Sequence, residues 1–255
     1  MTDAFHSLAL GLAELSPLSL VVGAAWVLVM ISVPIIKWVL GEGAERIGIS
    51  LGVVFQAAAV TVILFDGLAP LRAAVIVAGI PLFGWAVEFL GSRTGFPFGG
   101  YHYTEVLRPQ IRRVPAVIPF AWLMMIPPAW GVARILVGPD SVLLAAVTAG
   151  VAFMAWDLFL DPQMVSWDFW RWEQRGIYVG IPLVNFLGWF AAGAVISFLL
   201  YDPSVPAVPL LLVYTVTWAL QTIGQLAFWK LYVSGLVGFV AMGAFIVASL
   251  VAMAG

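Results

Sequence analysis

Residues 141–162 read SVLLAAVTAGVAFMAWDLFLDP. No charged side chain interrupts the run from Ser141 to Trp156, and two aspartates, Asp157 and Asp161, then fall one helical turn apart. Ser141–Leu160 matches the ~20 residues an α-helix needs to cross a hydrocarbon core about 30 Å thick. Seven further stretches share this character: Pro17–Leu40, Ile47–Phe65, Arg72–Leu90, Pro115–Val137, Pro182–Tyr201, Val208–Gly224 and Leu231–Met253. The predicted fold class is therefore all-α, a polytopic membrane bundle of about eight transmembrane helices forming one domain over residues 1–255.

An even number of spans puts both termini on one side. The loops after the first, third, fifth and seventh spans hold nine of the eleven lysines and arginines: Lys37, Arg46, Arg93, Arg108, Arg112, Arg113, Arg171, Arg175 and Lys230. The opposite loops hold Arg72 and Arg134. Basic residues favour the cytoplasm, so these four loops are expected inside and both termini outside.

Hydrophobic residues make up 63% of the chain and charged residues 9%, against about 25% charged in a soluble domain. Mean hydropathy is +1.08. A net charge of −2 with no basic stripe argues against a nucleic-acid partner. Without cysteine, neither a disulfide nor a thiolate metal site can form. No basic residue precedes Lys37, so the first span is not expected to be a cleavable signal. Gly79-Ile-Pro-Leu and Gly180-Ile-Pro-Leu echo each other, a coincidence in so apolar a chain.

Two basic loops carry more than connections need. Residues 95–103 combine Gly95, Pro97, Gly99 and Gly100 with Phe96, Phe98, Tyr101 and Tyr103. Gly and Pro exclude a regular helix. Such aromatics suit either an interfacial belt or a segment folded into the bundle mouth, where non-helical backbone is tolerated when buried in protein. Arg108, Arg112 and Arg113 suit lipid phosphates. In the other loop, Pro162 is expected to stop the helix and leave Asp161 at its C-terminal end, where the dipole disfavours an anion. The stretch holding Trp167, Trp170 and Trp172 reads as a short interfacial helix.

Acids inside apolar spans are costly and usually face the bundle interior. Glu88 near the end of span three, one turn from Gly84 and Trp85, and Asp157 near the end of span five are the candidates. No lysine or arginine lies at their depth. With Asp161 they should share protons, since apolar burial and mutual repulsion favour the neutral acid. Asn185 on span six and the stripe Thr217, Gln221 and Gln225 on span seven suit helix–helix hydrogen bonds. Two histidines, His6 and His102, are too few for a membrane di-iron oxygenase. Gly41 and Gly43 lack the strand and third glycine of a dinucleotide site, and no Ser/His/acid set suggests acyl transfer. Acids, aromatics and apolar walls suit protonation of an alkene, with ring faces stabilising the carbocation.

Glu88…Gly91…Gly95-Phe-Pro-Phe-Gly99-x-Tyr101-x-Tyr103, Pro115…Trp122, Asp157-x-x-x-Asp161-Pro162 and Tyr178-x-Gly180-x-Pro182-x-x-Asn185-x-x-Gly188-Trp189 resemble the CruF family of carotenoid biosynthesis proteins, over roughly residues 20–250. The resemblance implies an integral membrane hydratase that adds water across the terminal double bond of an acyclic (ψ) carotenoid end group, giving a tertiary alcohol. It implies an acyclic carotenoid and membrane lipids as partners, and neither a metal nor another cofactor; the oligomeric state stays open. In the mechanism expected here, Asp157 protonates the alkene, and Trp85, Tyr101, Tyr103 or Trp156 faces the cation. Glu88 and Asp161 activate water that Asn185 fixes, near the cytoplasmic face. Phe98, Trp122, Tyr178 and Trp189 complete the expected substrate contacts.

Three alternatives share some of these features. A UbiA-type prenyltransferase has Asp-x-x-x-Asp on a helix but needs a second acidic motif, and its first is preceded by Asn where Phe153 stands here. A carotenoid end-group cyclase protonates the same alkene without adding water. A proton-coupled transporter would place acids at the midplane and show an inverted repeat.

Overall fold

The computed structural model describes residues 9, 11–13 and 15–254; His6 lies outside them. Among the described residues, eight helices are long and apolar enough to cross a membrane: α1 Pro17–Leu40, α2 Glu42–Gly67, α3 Pro70–Thr94, α4 Ile118–Val137, α5 Val142–Ser166, α6 Leu183–Leu200, α7 Ala207–Ile223 with its π-helical extension Gly224–Phe228, and α8 Tyr232–Ala254. The fold is the expected all-α polytopic bundle. Helix α4 is its axis: 72% of its most apolar window is buried, against 22% for α1 and α8. It packs on α2, α3, α5, α7 and α8, whereas α1 lies along α2 at the edge.

Loop contacts divide the bundle into two ends. At one, the ion pair Arg72–Asp202 and the bond from Arg134 Nε to Pro203 O (2.8 Å) join the connections after α2, α4 and α6. At the other, Trp229 after α7 donates to Glu45 near the start of α2 (2.9 Å) and packs on Trp167 after α5 (5.3 Å). The strands β1 (Tyr101–Tyr103), after α3, and β4 (Trp170–Trp172), after α5, pair antiparallel at that same end. A second small ribbon, β2 (Gln110–Ile111) with β3 (Val114–Pro115), precedes α4. The loops expected on one side from their charges thus meet at one end.

Two local expectations are overturned there. Pro162 does not end α5, which continues to Ser166, so Asp161 lies within the helix and not at its terminus. A proline removes one backbone donor and frees the carbonyl four residues earlier. That carbonyl, Leu158 O, accepts the Tyr178 hydroxyl (2.9 Å), which replaces the lost bond. Buried donors compensating prolines recur in the axis: Pro128 frees Met124 O, which accepts from Gln56 Nε2 at 3.3 Å. The second correction concerns Trp170–Trp172, an extended strand and not an interfacial helix. Alternation turns both indoles toward the bundle and leaves Arg171 exposed, paired with Asp168.

Between α3 and β1 the aromatic loop folds inward. Gly95 ends α3 in the left-handed region (φ 76°), reversing the chain as Gly does at helix C-termini. Phe98 and Tyr101 are buried while Phe96 stays outside, 70% exposed. Gly188 on α6 makes room: a Cβ there would stand 2.7 Å from the Phe98 ring and 2.8 Å from Pro97 O.

Candidate active site

Glu88 projects from a buried face of α3 between Gly84 and Gly91. Its Oε2 accepts from the hydroxyls of Tyr101 and Tyr103, the latter at 2.8 Å, and its Oε1 accepts from Trp122 Nε1 at 3.3 Å. Burial first, and then the Glu88 carboxyl, push both phenols well above the usual tyrosine range. Both tyrosines therefore stay protonated and able to donate.

Asp161 is held from the other strand. Its Oδ1 accepts from Trp170 Nε1 (2.7 Å) and Trp172 Nε1 (3.1 Å), and its Oδ2 from Asn185 Nδ2 (2.6 Å). The same amide nitrogen donates to Asp157 Oδ2 at 2.7 Å. Asp157 Oδ1 is buried without a partner among the described residues. The two aspartates share a face because they are four residues apart on α5, and Asn185 in the first turn of α6 bridges them. One ribbon thus supplies both acids: Tyr101 and Tyr103 of β1 reach Glu88, while Trp170 and Trp172 of β4 reach Asp161. Register places Tyr101 opposite Trp172 and Tyr103 opposite Trp170, with ring centroids 5.2 and 5.8 Å apart. No lysine or arginine approaches any of the three carboxyls among the described residues; every donor is neutral.

A cavity of about 420 Å³ opens beside these groups. Glu88, Asp161 and Asn185 line it, with Phe98, Tyr101, Tyr103, Trp122, Trp156 and Trp189. Trp122 stacks on Trp189 with centroids 5.2 Å apart and planes 16° from parallel, so apolar ring faces stand next to the acids. Its other walls come from α1, α2 and α7. Ile31, Ile35, Ile223 and Phe228 line it while remaining 40–55% exposed, so the cavity reaches the apolar outer surface between α1 and α7. A long hydrocarbon can thread such an opening with one end beside the carboxyls.

Three residues expected at the site do not line the cavity. Asp157 backs Asn185 and does not line the cavity. Trp85 packs on Phe89 with ring centroids 5.1 Å apart. Tyr178 packs on Phe186 at 5.4 Å and donates to the Leu158 carbonyl freed by Pro162. The sequence reading missed Trp170 and Trp172 as donors to Asp161, although the alternation Trp-Arg-Trp is a strand signal. It also missed Gln56, although it is the one amide in the apolar span Ile47–Phe65, a signal of the same kind as Asn185.

A protein family described as carotenoid biosynthesis protein matches residues 48–251. A curated relative, the bisanhydrobacterioruberin hydratase of Haloarcula japonica, is 31% identical over 145 residues, which cover 54% of this chain and 49% of the relative. The chain spans about half the length of that relative. No solved structure matches.

Proposed function

The chain belongs to the carotenoid biosynthesis protein family, and from that premise we propose that it is a carotenoid hydratase. The reaction is addition of water across the terminal C=C of an acyclic (ψ) carotenoid end group, giving a tertiary alcohol without a cofactor. The observation that carries it is the cavity that joins two cation-free carboxyls and stacked tryptophans to the lipid-facing surface.

The hydrogen-bond partners divide the roles. Indole and amide N–H groups can only donate, whereas a phenol hydroxyl both donates and accepts. Asp161, held by three N–H bonds, suits the carboxylate. Glu88, held by two phenols and one indole, keeps hydroxyls that can turn to accept from a protonated acid. The proton donor expected at Asp157 therefore moves to Glu88, which lines the cavity as Asp157 does not. Glu88 delivers a proton to the less substituted carbon of the terminal double bond, and the tertiary cation forms against the faces of Trp122 and Trp189. Water adds to the cation and loses its proton to Asp161, as a general base requires. Asn185 orients Asp161, and Asp157 behind it holds a proton that leaves the bridged pair singly charged. A proton passed back to Glu88 closes the cycle. On the positive-inside rule the carboxyl end faces the cytoplasm, the side from which water arrives.

Expression in cells that make an acyclic carotenoid, grown in heavy-oxygen water, tests this directly. A product heavier by one labelled water is the expected result. Unchanged mass, as in cyclisation, or an oxygen derived from O₂ rules hydration out.

A further inference from the structure

Of Thr217, Gln221 and Gln225 on α7 and its π extension, two are used in packing. Thr217 accepts from Gln56 Nε2 at 2.9 Å and donates to Val213 O at 2.8 Å. Gln225 donates to Phe159 O at 2.7 Å and accepts from Ser234 Oγ at 2.6 Å. Gln221 stands between them and differs: its Oε1 is buried yet takes no hydrogen bond among the described residues. Its side chain lines the same cavity as Glu88 and Asp161. Gln56 lines it too, and the carbonyl freed by Pro128 fixes its Nε2 toward Met124 O. An unsatisfied buried acceptor is unusual and calls for a partner.

The chemistry of the cavity restricts that partner. An anionic group would face Glu88 and Asp161 with no cation to offset it. A bulky polar group does not match walls of Val53, Met30 and Leu220, where only the indole N–H groups of Trp26 and Trp156 are also buried without a partner among the described residues. A hydroxyl on an otherwise apolar chain offers one proton to Gln221 Oε1 and nothing that the walls reject. Resting on the hydratase reading above, we propose that Gln221, backed by the Gln56–Thr217 pair, is a hydroxyl-binding subsite that selects carotenoids already carrying an alcohol. The same O–H could come from water held in the subsite, and the test separates these sources.

Two acyclic carotenoids that differ by a single hydroxyl are titrated into the full chain in detergent, following quenching of tryptophan fluorescence. Binding of the hydroxylated carotenoid is expected to be about tenfold tighter in the wild type, and Gln221→Leu removes that preference while leaving the hydrocarbon's affinity within twofold. Equal affinities in the wild type, or equal weakening of both ligands in Gln221→Leu as a bound water predicts, overturn the subsite. Because binding is read without turnover, failure to gain water condemns only the hydratase reading. Where turnover occurs, the same selective loss is expected in kcat/KM for the hydroxylated substrate.

Discussion

Glu45 and Glu88 are both 3% exposed, both accept an indole N–H, and both lie at the loop-rich end of the bundle. Glu45 also has Lys37, with Nζ at 3.1 Å. Glu88 has only phenols and an indole, and Asp161 only indoles and an amide. Asp202 at the far end resembles Glu45, since Arg72 lies 3.1 Å away. An acid beside a cation is a closed structural pair, neutralised where it stands. An acid surrounded by neutral donors is left able to exchange a proton, provided that a substrate can reach it. Glu88 and Asp161 meet both conditions because they line the cavity.

That contrast is open to breakage at three strengths. The largest effect is expected at the acids: Glu88→Gln and Asp161→Asn should each lower hydration by about 100-fold or more, while Glu45→Gln stays near the wild-type rate. Product analysis in membranes of equal expression decides this, and a comparable loss at Glu45 would erase the distinction. Next comes Trp172→Phe, which deletes one N–H to Asp161 and keeps most of the ring. A hydrogen bond to a charged group is worth about 1.5–3 kcal/mol, so a rate loss of at least tenfold is expected. Gln substituted for Arg171, on the outer face of the same strand, should leave the rate unchanged. The smallest effect on turnover belongs to Lys37→Met: it leaves the buried Glu45 without its cation, so stability should fall by more than the ~1 kcal/mol of an exposed pair, read as a drop in Tm in detergent, with no change in turnover.

Much of the architecture was open to sequence reading, and its failures cluster at one place. Ser141–Leu160 was identified as a span from its run of apolar residues, yet its end was misread because Pro162 looked like a stop. The helix continues because Tyr178, sixteen residues beyond Pro162, supplies the missing donor to Leu158 O. Trp170–Trp172 looked helical because tryptophans at a membrane surface suggest an amphipathic turn, but pairing with Tyr101–Tyr103 imposes a strand. Trp85 shares a helix with Glu88 at three residues' distance and still faces Phe89; so apolar an α3 leaves its inward face unmarked. Gln221 and Thr217 looked alike in a polar stripe, and only the position of Gln56 separates them.

The eight spans, the crowding of basic residues into four loops and the shared face of Asp157 and Asp161 were determined by the sequence alone. Each follows from hydrophobicity or helical period, which act over a few neighbouring residues. The tertiary structure alone decided that Asn185 would bridge the aspartates, that tyrosines would serve Glu88 and tryptophans Asp161, and that Asp157 would be shut away from the cavity. Those outcomes join residues many positions apart through hydrogen bonds that buried donors and acceptors must make somewhere, and no local pattern records which partner each will find.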